Sequence, residues 1–186
     1  MAPDDRRAAI VAATVPLLRE HGRSVTTRQI AVAACIAEGT IFRVFPDKEA
    51  LIEAAVAAVL DPGPVDAELR EIDITLPLEA RLAEAATIIQ HRLTGIFQLM
   101  AALGGGPQPP NRPAHKRPEM VSMAELFEPD RQRLCVDPRA AAQLLWGLTL
   151  AASHPALTYD TPLTPTDLVS FLLHGILTPD TSRTSR

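Results

Sequence analysis

The sequence predicts an all-α fold with a helix-turn-helix near its N-terminus. Three observations predict it. Apolar residues recur at spacings of three and four from end to end, with no sustained alternating pattern of the kind a half-buried strand needs. Ala, Leu, Glu and Arg, all good helix formers, are abundant. Two short apolar-patterned segments, joined by a turn of two residues, lie between Thr26 and Phe45.

Residues 4–21 read as a first helix, with Pro16 removing one backbone donor and kinking it locally. Gly22 ends it, because glycine tolerates the positive φ of a helix C-cap. Thr26-Thr27-Arg28-Gln29 has the spacing of a capping box, with Thr26 as N-cap and Gln29 reaching back to it. A second helix runs from there to about Ala34, residues 35–36 turn, and a third helix covers about Ala37 to Phe45. Pro46 stops it, and Asp47 caps a fourth helix that extends to about Leu60. Asp61-Pro62-Gly63-Pro64 then breaks the chain and separates a domain at 1–60 from a second at 61–180.

The second domain opens on a long helix from about Leu78 to Leu103, whose apolar face carries Leu82, Ala86, Ile89, Leu93, Ile96, Phe97 and Met100. Gly104 to Pro118, rich in glycine and proline, reads as a loop. Helices follow at about Glu119–Phe127, 138–153 and 166–177, and residues 181–186 form a polar tail expected to be disordered.

Composition narrows the function. The longest apolar stretch, Leu144 to Ala152, is far short of the ~20 residues a membrane span needs, so no membrane partner is expected. Two cysteines, Cys35 and Cys135, lack metal-type spacing and suit a reduced, cytoplasmic protein. His21, His91, His115, His154 and His174 are dispersed, with no pair at i, i+3 or i, i+4, so no metal site is expected. Gly104-Gly105-Gly106 lacks the lysine of a phosphate loop. No catalytic arrangement is defined by spacing, so neither an enzyme nor a cofactor is expected. The net charge is −4, yet the first sixty residues carry seven basic and seven acidic groups, and Arg23 to Lys48 holds four basic against two acidic. A locally basic edge on an acidic chain suits a site-specific DNA reader as well as it suits a solvated surface.

Between Thr27 and Phe45, Ile30, Ala31, Ala34, Ile36, Ile41 and Phe45 can bury the inner faces of two short helices and leave Arg28, Glu38, Thr40 and Arg43 outside. That is the geometry which places a helix in the major groove. The run from Thr26 to Leu51, with its segment G-T-I-F-R-V-F-P-D-K-E-A-L, resembles the DNA-binding signature of the tetracycline-repressor (TetR) family. The resemblance implies that Thr26, Thr27 and Arg28 meet the DNA backbone. It implies that Ala37, Glu38, Gly39, Thr40 and Arg43 face the groove, and that Lys48 binds a phosphate at the start of the fourth helix. Phe42 stands where the family usually carries a phosphate-bonding tyrosine, Val44 replaces a common histidine, and Cys35 occupies a turn position that usually holds glycine. These departures bear on affinity and operator sequence.

The resemblance further implies a variable helical domain for ligand binding and dimerisation, and hence a ligand-responsive regulator of the repressor type. It would bind a near-palindromic operator in double-stranded DNA as a homodimer. Effector binding would swing the fourth helix and release the DNA. An apolar or mildly polar small molecule fits the few charges of the later helices. The expected pocket residues are His91, Phe97, Met100 and Trp146. Glu84, His91 and Gln98 form a polar strip that either faces solvent or lines that pocket. The last two helices are too apolar for one-sided burial, which points to a twofold seam containing Leu145, Leu148, Leu168, Leu172 and Ile176. Two other readings remain open at this point. One is a DNA-binding regulator controlled by a protein partner or by cysteine oxidation, and the other a helical binding protein or enzyme with a vestigial helix-turn-helix.

Overall fold

A computed structural model describes residues 3–105, 118–158 and 163–176. Among them are nine α-helices and no β-strand, so the protein is all-α. The helices are α1 (Pro3–His21), α2 (Thr27–Ala33), α3 (Glu38–Val44), α4 (Lys48–Leu60), α5 (Gly63–Arg70), α6 (Leu78–Ala102), α7 (Pro118–Glu125), α8 (Pro138–Ser153) and α9 (Pro165–Ile176). Short 3-10 turns lie at Gly22–Ser24 and Glu128–Arg133. Most of the expected loop at 104–118 and the whole tail at 181–186 fall outside the described residues.

The chain clusters into two compact units. The first consists of α1 to α4 with the end of α6 from Gly95, and the second of α5, the earlier part of α6, and α7 to α9. In the first unit α1 packs on α2, α3 and α4, and α2 packs on α3. Ile30 and Ile41 are completely buried and Phe45 nearly so, each contributing about 1.5–3 kcal/mol of transfer free energy. These residues clamp the two short helices onto the others, which is needed because seven-residue helices are unstable alone. Leu99, from the last turn of α6, and Leu103, just past its end, complete the same core.

Local signals set the ends of these helices. Asp4 and Asp5 lie in the first turn of α1 and Arg19 and His21 in its last, matching the helix dipole. Gly22 then takes φ +56°, and a side chain there would put its Cβ 2.2 Å from the Ala102 carbonyl oxygen. Only glycine fits this position, for both reasons at once.

In the second unit α5 packs on α7, α7 on α8, and α8 on α9. Sequence reading assigned no element to residues 65–77, yet α5 occupies Gly63–Arg70. The Pro-Gly-Pro segment both stops α4 and starts α5, since proline suits the first turn of a helix, where its missing N–H costs nothing. Buried charge was also not foreseen. Arg81 is 2% exposed, and its Nε and Nη1 donate to the carbonyls of Leu126 (2.6 Å) and Leu76 (2.7 Å) while its Nη2 pairs with Asp130. That set of bonds ties the start of α6 to the segments before it and after α7. Asp66 is likewise buried and paired, accepting from Ser122 Oγ at 2.6 Å and from Arg70 Nη2 at 2.9 Å.

Candidate nucleic-acid interface

The helix-turn-helix is built by two caps and one turn. Thr26 Oγ1 accepts from the Gln29 backbone N–H at 3.2 Å, and Gln29 Oε1 accepts from the Thr26 backbone N–H at 2.8 Å, so the expected capping box is complete. At the other end of α2, Cys35 N–H donates to Val32 O (3.1 Å) and Ile36 N–H to Ala31 O (3.0 Å). This pair of bonds is a Schellman motif, and it requires a left-handed residue between them. Cys35 supplies it at φ 54°, the only non-glycine with positive φ among the described residues. A non-glycine residue at this φ carries strain. α4 begins where Asp47 Oδ1 accepts from the Ala50 N–H at 2.7 Å.

The outer faces of α2 and α3 carry the residues singled out from sequence. Arg28, Ala37, Glu38, Gly39 and Arg43 are exposed, Thr40 is half-buried, and Phe42 is 51% exposed. Val32, on α2, is 72% exposed, and sequence reading gave it no role. Of the expected inner residues, Ile30, Ala31, Ile41 and Phe45 are buried, and Ala34 and Ile36 are half-buried. Arg7 lies over the Phe45 ring, 4.4 Å from its centroid, a cation–π contact that holds α1 against the end of α3.

Two polar contacts and one open space bear on the expected roles. Lys48 Nζ donates to the Arg23 carbonyl at 2.8 Å, which anchors the ammonium beside the 3-10 turn while leaving two of its three protons. Thr27 Oγ1 donates to Glu38 Oε1 at 2.5 Å, joining the start of α2 to the start of α3. Gly39 has an ordinary helical φ, and nothing lies within 4 Å of where its Cβ would be. Its own fold does not need glycine, and a helix-interior glycine costs about 0.5–1 kcal/mol, so space outside the chain is what Gly39 leaves free.

Residues 10–55 match the family described as bacterial regulatory proteins, tetR family. The match spans the helix-turn-helix with parts of α1 and α4, and there the chain is similar to that family. No curated protein sequence matches the chain. Similar solved structures include a TetR transcriptional regulator from Streptomyces coelicolor, at 22% identity and TM-score 0.57, covering 93% of this chain and 99% of that one. A tetR-family regulator from Pectobacterium atrosepticum is 22% identical with TM-score 0.60, covering 94% and 95%. SmeT, the repressor of the Stenotrophomonas maltophilia multidrug efflux pump SmeDEF, is 19% identical with TM-score 0.58, covering 94% and 91%. At these identities the likeness establishes the tetR-like fold along almost the whole chain.

The residues expected at an effector pocket divide between the two units of the chain. Phe97 and Met100 are half-buried in the first, and Met100 packs on its core. His91 is exposed and Trp146 half-buried in the second. Glu84, His91 and Gln98 are all exposed, so the polar strip of α6 lies on the chain's surface. A cleft of about 810 Å³ in the second unit is lined by other side chains, among them Met120, Val121, Glu128, Arg131, Arg139 and Gln143. Glu119, on α7, is 5% exposed and its Oε2 has no hydrogen-bond partner among the described residues.

Of the residues expected at a dimer seam, Leu145, Leu168 and Leu172 are already buried within the chain, and Leu148 is exposed. Ile176 ends α9, and its side chain is outside the described residues. Among the described residues, the large apolar side chains that α8 and α9 leave exposed are Leu144, Leu148, Leu150 and Phe171, the last at 64%. Ala140, Gln143, Leu144, Gly147 and Leu148 line a shallow depression of about 550 Å³ on α8. Among the described residues, no group of His, Cys, Asp and Glu could hold a metal ion, and no helix is long and apolar enough to cross a membrane.

Proposed function

We propose that this chain is a cytoplasmic transcriptional repressor of the tetR family that binds a near-palindromic operator as a homodimer and is released by a small effector. The observation that carries the reading is α3. It is held by the Schellman turn and the Ile30–Ile41–Phe45 packing, yet it presents Gly39, Phe42 and Arg43 to solvent with no structural use for them, and Glu38 with only one carboxylate oxygen engaged. Arg28 and the N–H groups at the start of α2, with Lys48, supply the phosphate contacts. Residues 1–60 form the DNA-binding domain and residues 61–180 the effector-binding and dimerisation domain.

The dimer reading rests on Leu144, Leu148 and Phe171, exposed apolar side chains on two adjacent helices that a twofold partner would cover. The effector is an apolar or mildly polar molecule held in the second domain. Its preference for one arrangement of the first would shift the population of DNA-competent dimers by way of α4. The test is footprinting and gel shift of the purified protein on the promoter DNA beside its own gene, across a salt series. A protected near-palindrome with binding that weakens steeply as salt rises is expected. Absence of any salt-sensitive binding would favour the reading as a helical binding protein or enzyme with a vestigial helix-turn-helix.

A further inference from the structure

The start of α3 carries a carboxylate that no cation balances. Glu38 is exposed, and among the described residues none of the ion pairs includes it. Its Oε1 is occupied by the hydroxyl proton of Thr27. A threonine hydroxyl has one proton, so Thr27 Oγ1 has none left for a phosphate oxygen. Phe42 lies four residues beyond Glu38 and therefore on the same side of the helix. That row offers a carboxylate and a phenyl ring, neither of which can donate a hydrogen bond to phosphate. Against the DNA backbone it would only repel, so it belongs over base edges.

In the major groove, guanine N7 and O6 and thymine O4 are acceptors and would repel a carboxylate. Adenine offers N6–H but sets the N7 acceptor beside it. Cytosine offers its N4 amino group without that neighbour. We propose that Glu38 reads a cytosine in each operator half-site through its second carboxylate oxygen, with Thr27 as the positioning residue that fixes the carboxylate's orientation. The proposal rests on the reading of α3 as the recognition helix. It gives Thr27 a role in base preference in place of the phosphate contact expected from sequence.

The experiment is selection of bound duplexes from a randomised library by the full-length protein, followed by gel shifts on the selected operator. For the wild type, one position per half-site is fixed as cytosine, and changing that base weakens binding roughly tenfold or more. Glu38→Gln moves the preference at that position towards adenine, whose N6 and N7 suit an amide, and Glu38→Ala abolishes it. Thr27→Val blunts the preference at the same position and leaves the other positions unchanged, whereas Thr27→Ser restores it. Circular dichroism melting confirms that each variant folds. If Glu38→Ala selects the same bases as the wild type at every position, the proposal is overturned while DNA recognition by α3 stands. If the wild type selects no sequence, the recognition-helix reading itself falls and takes this proposal with it.

Discussion

The first unit of this chain places its costly features in the backbone, whereas the second places them in buried charge. Among the described residues every positive φ (Gly22, Cys35, Gly104 and Gly105) lies in the first unit. Every buried charged residue (Asp66, Arg81 and Glu119) lies in the second. The single buried polar side chain of the first unit, Thr14, is satisfied one turn away by the Ile10 carbonyl at 2.7 Å. In the second, Arg81 depends on partners 45 and 49 residues distant. The strained backbone of the first unit thus sits at helix ends and turns, whereas the buried charge of the second is held by polar contacts across its helices.

Removing the Arg81 guanidinium breaks the second unit most directly. Arg81→Ala leaves the Leu76 and Leu126 carbonyls unpaired and Asp130 with only Arg133, whose Nη1 donates at 2.6 Å. A loss of about 3–5 kcal/mol is expected, because one partner of a buried pair is removed while the other stays. Urea unfolding followed by the fluorescence of Trp146, the only tryptophan, reports on this unit. The same contact sets an acid limit. Burial pushes the Asp130 carboxyl up, but the hydrogen bonds and charges of Arg81 and Arg133 outweigh it and hold the carboxyl below its ordinary value. Its stabilisation is therefore complete above about pH 4 and is lost as pH falls through the lowered folded-state value. Asp130→Asn should flatten the stability profile below pH 4, and an unchanged acid limb would show that other groups set it.

For the first unit the corresponding break is Gly22→Ala. The added Cβ meets a backbone oxygen at 2.2 Å and the residue must hold φ +56°, so about 3 kcal/mol is expected from strain and overpacking together. Thermal melting by circular dichroism measures it. A loss below about 1 kcal/mol would mean that the end of α6 yields easily at Ala102.

Glu119 sharpens the contrast from the opposite direction. Its Oε2 is buried and unpartnered, so Glu119→Met, similar in length and without the carboxylate, should raise stability by about 1 kcal/mol or more. The check is a shift of the urea midpoint at constant slope. A destabilised variant would show that the carboxyl has a partner at this site.

The same division explains what was legible in the sequence. Thr26, Gln29, Gly22 and Asp47 act on neighbours within a few positions, so their residue types announce caps and helix ends. Cys35 was legible as part of a two-residue turn for the same reason. The end of α6 repeats its geometry, with Gly104 N–H donating to Ala101 O and Gly105 N–H to Met100 O, both at 3.0 Å, but there glycine takes the left-handed position. Arg81 stayed hidden because its partners are remote, although its place between Leu78, Leu82 and Ala85 on the buried side of α6 was a usable sign. α5 was missed because one Pro-Gly-Pro segment serves as both stop and start. At the candidate site, the positions facing outward were legible from spacing, but the Thr27–Glu38 contact joins two helices across a turn and no spacing rule supplies it.

The smallest expected effect is at Gly39, where the two readouts should separate in sign. A glycine inside a helix costs about 0.5–1 kcal/mol relative to alanine, and no atom lies within 4 Å of the position an added Cβ would take. Gly39→Ala should therefore stabilise the N-terminal unit by about that amount. If the open space above α3 is where DNA makes its close approach, the same methyl group must be accommodated at the groove edge. Operator affinity should then fall by about tenfold, a loss of roughly 1.4 kcal/mol. Melting curves and gel shifts on one preparation separate the two quantities. A variant that is more stable and binds as tightly as the wild type would remove Gly39 from the interface. A variant that is less stable would show that Gly39 serves its own helix after all.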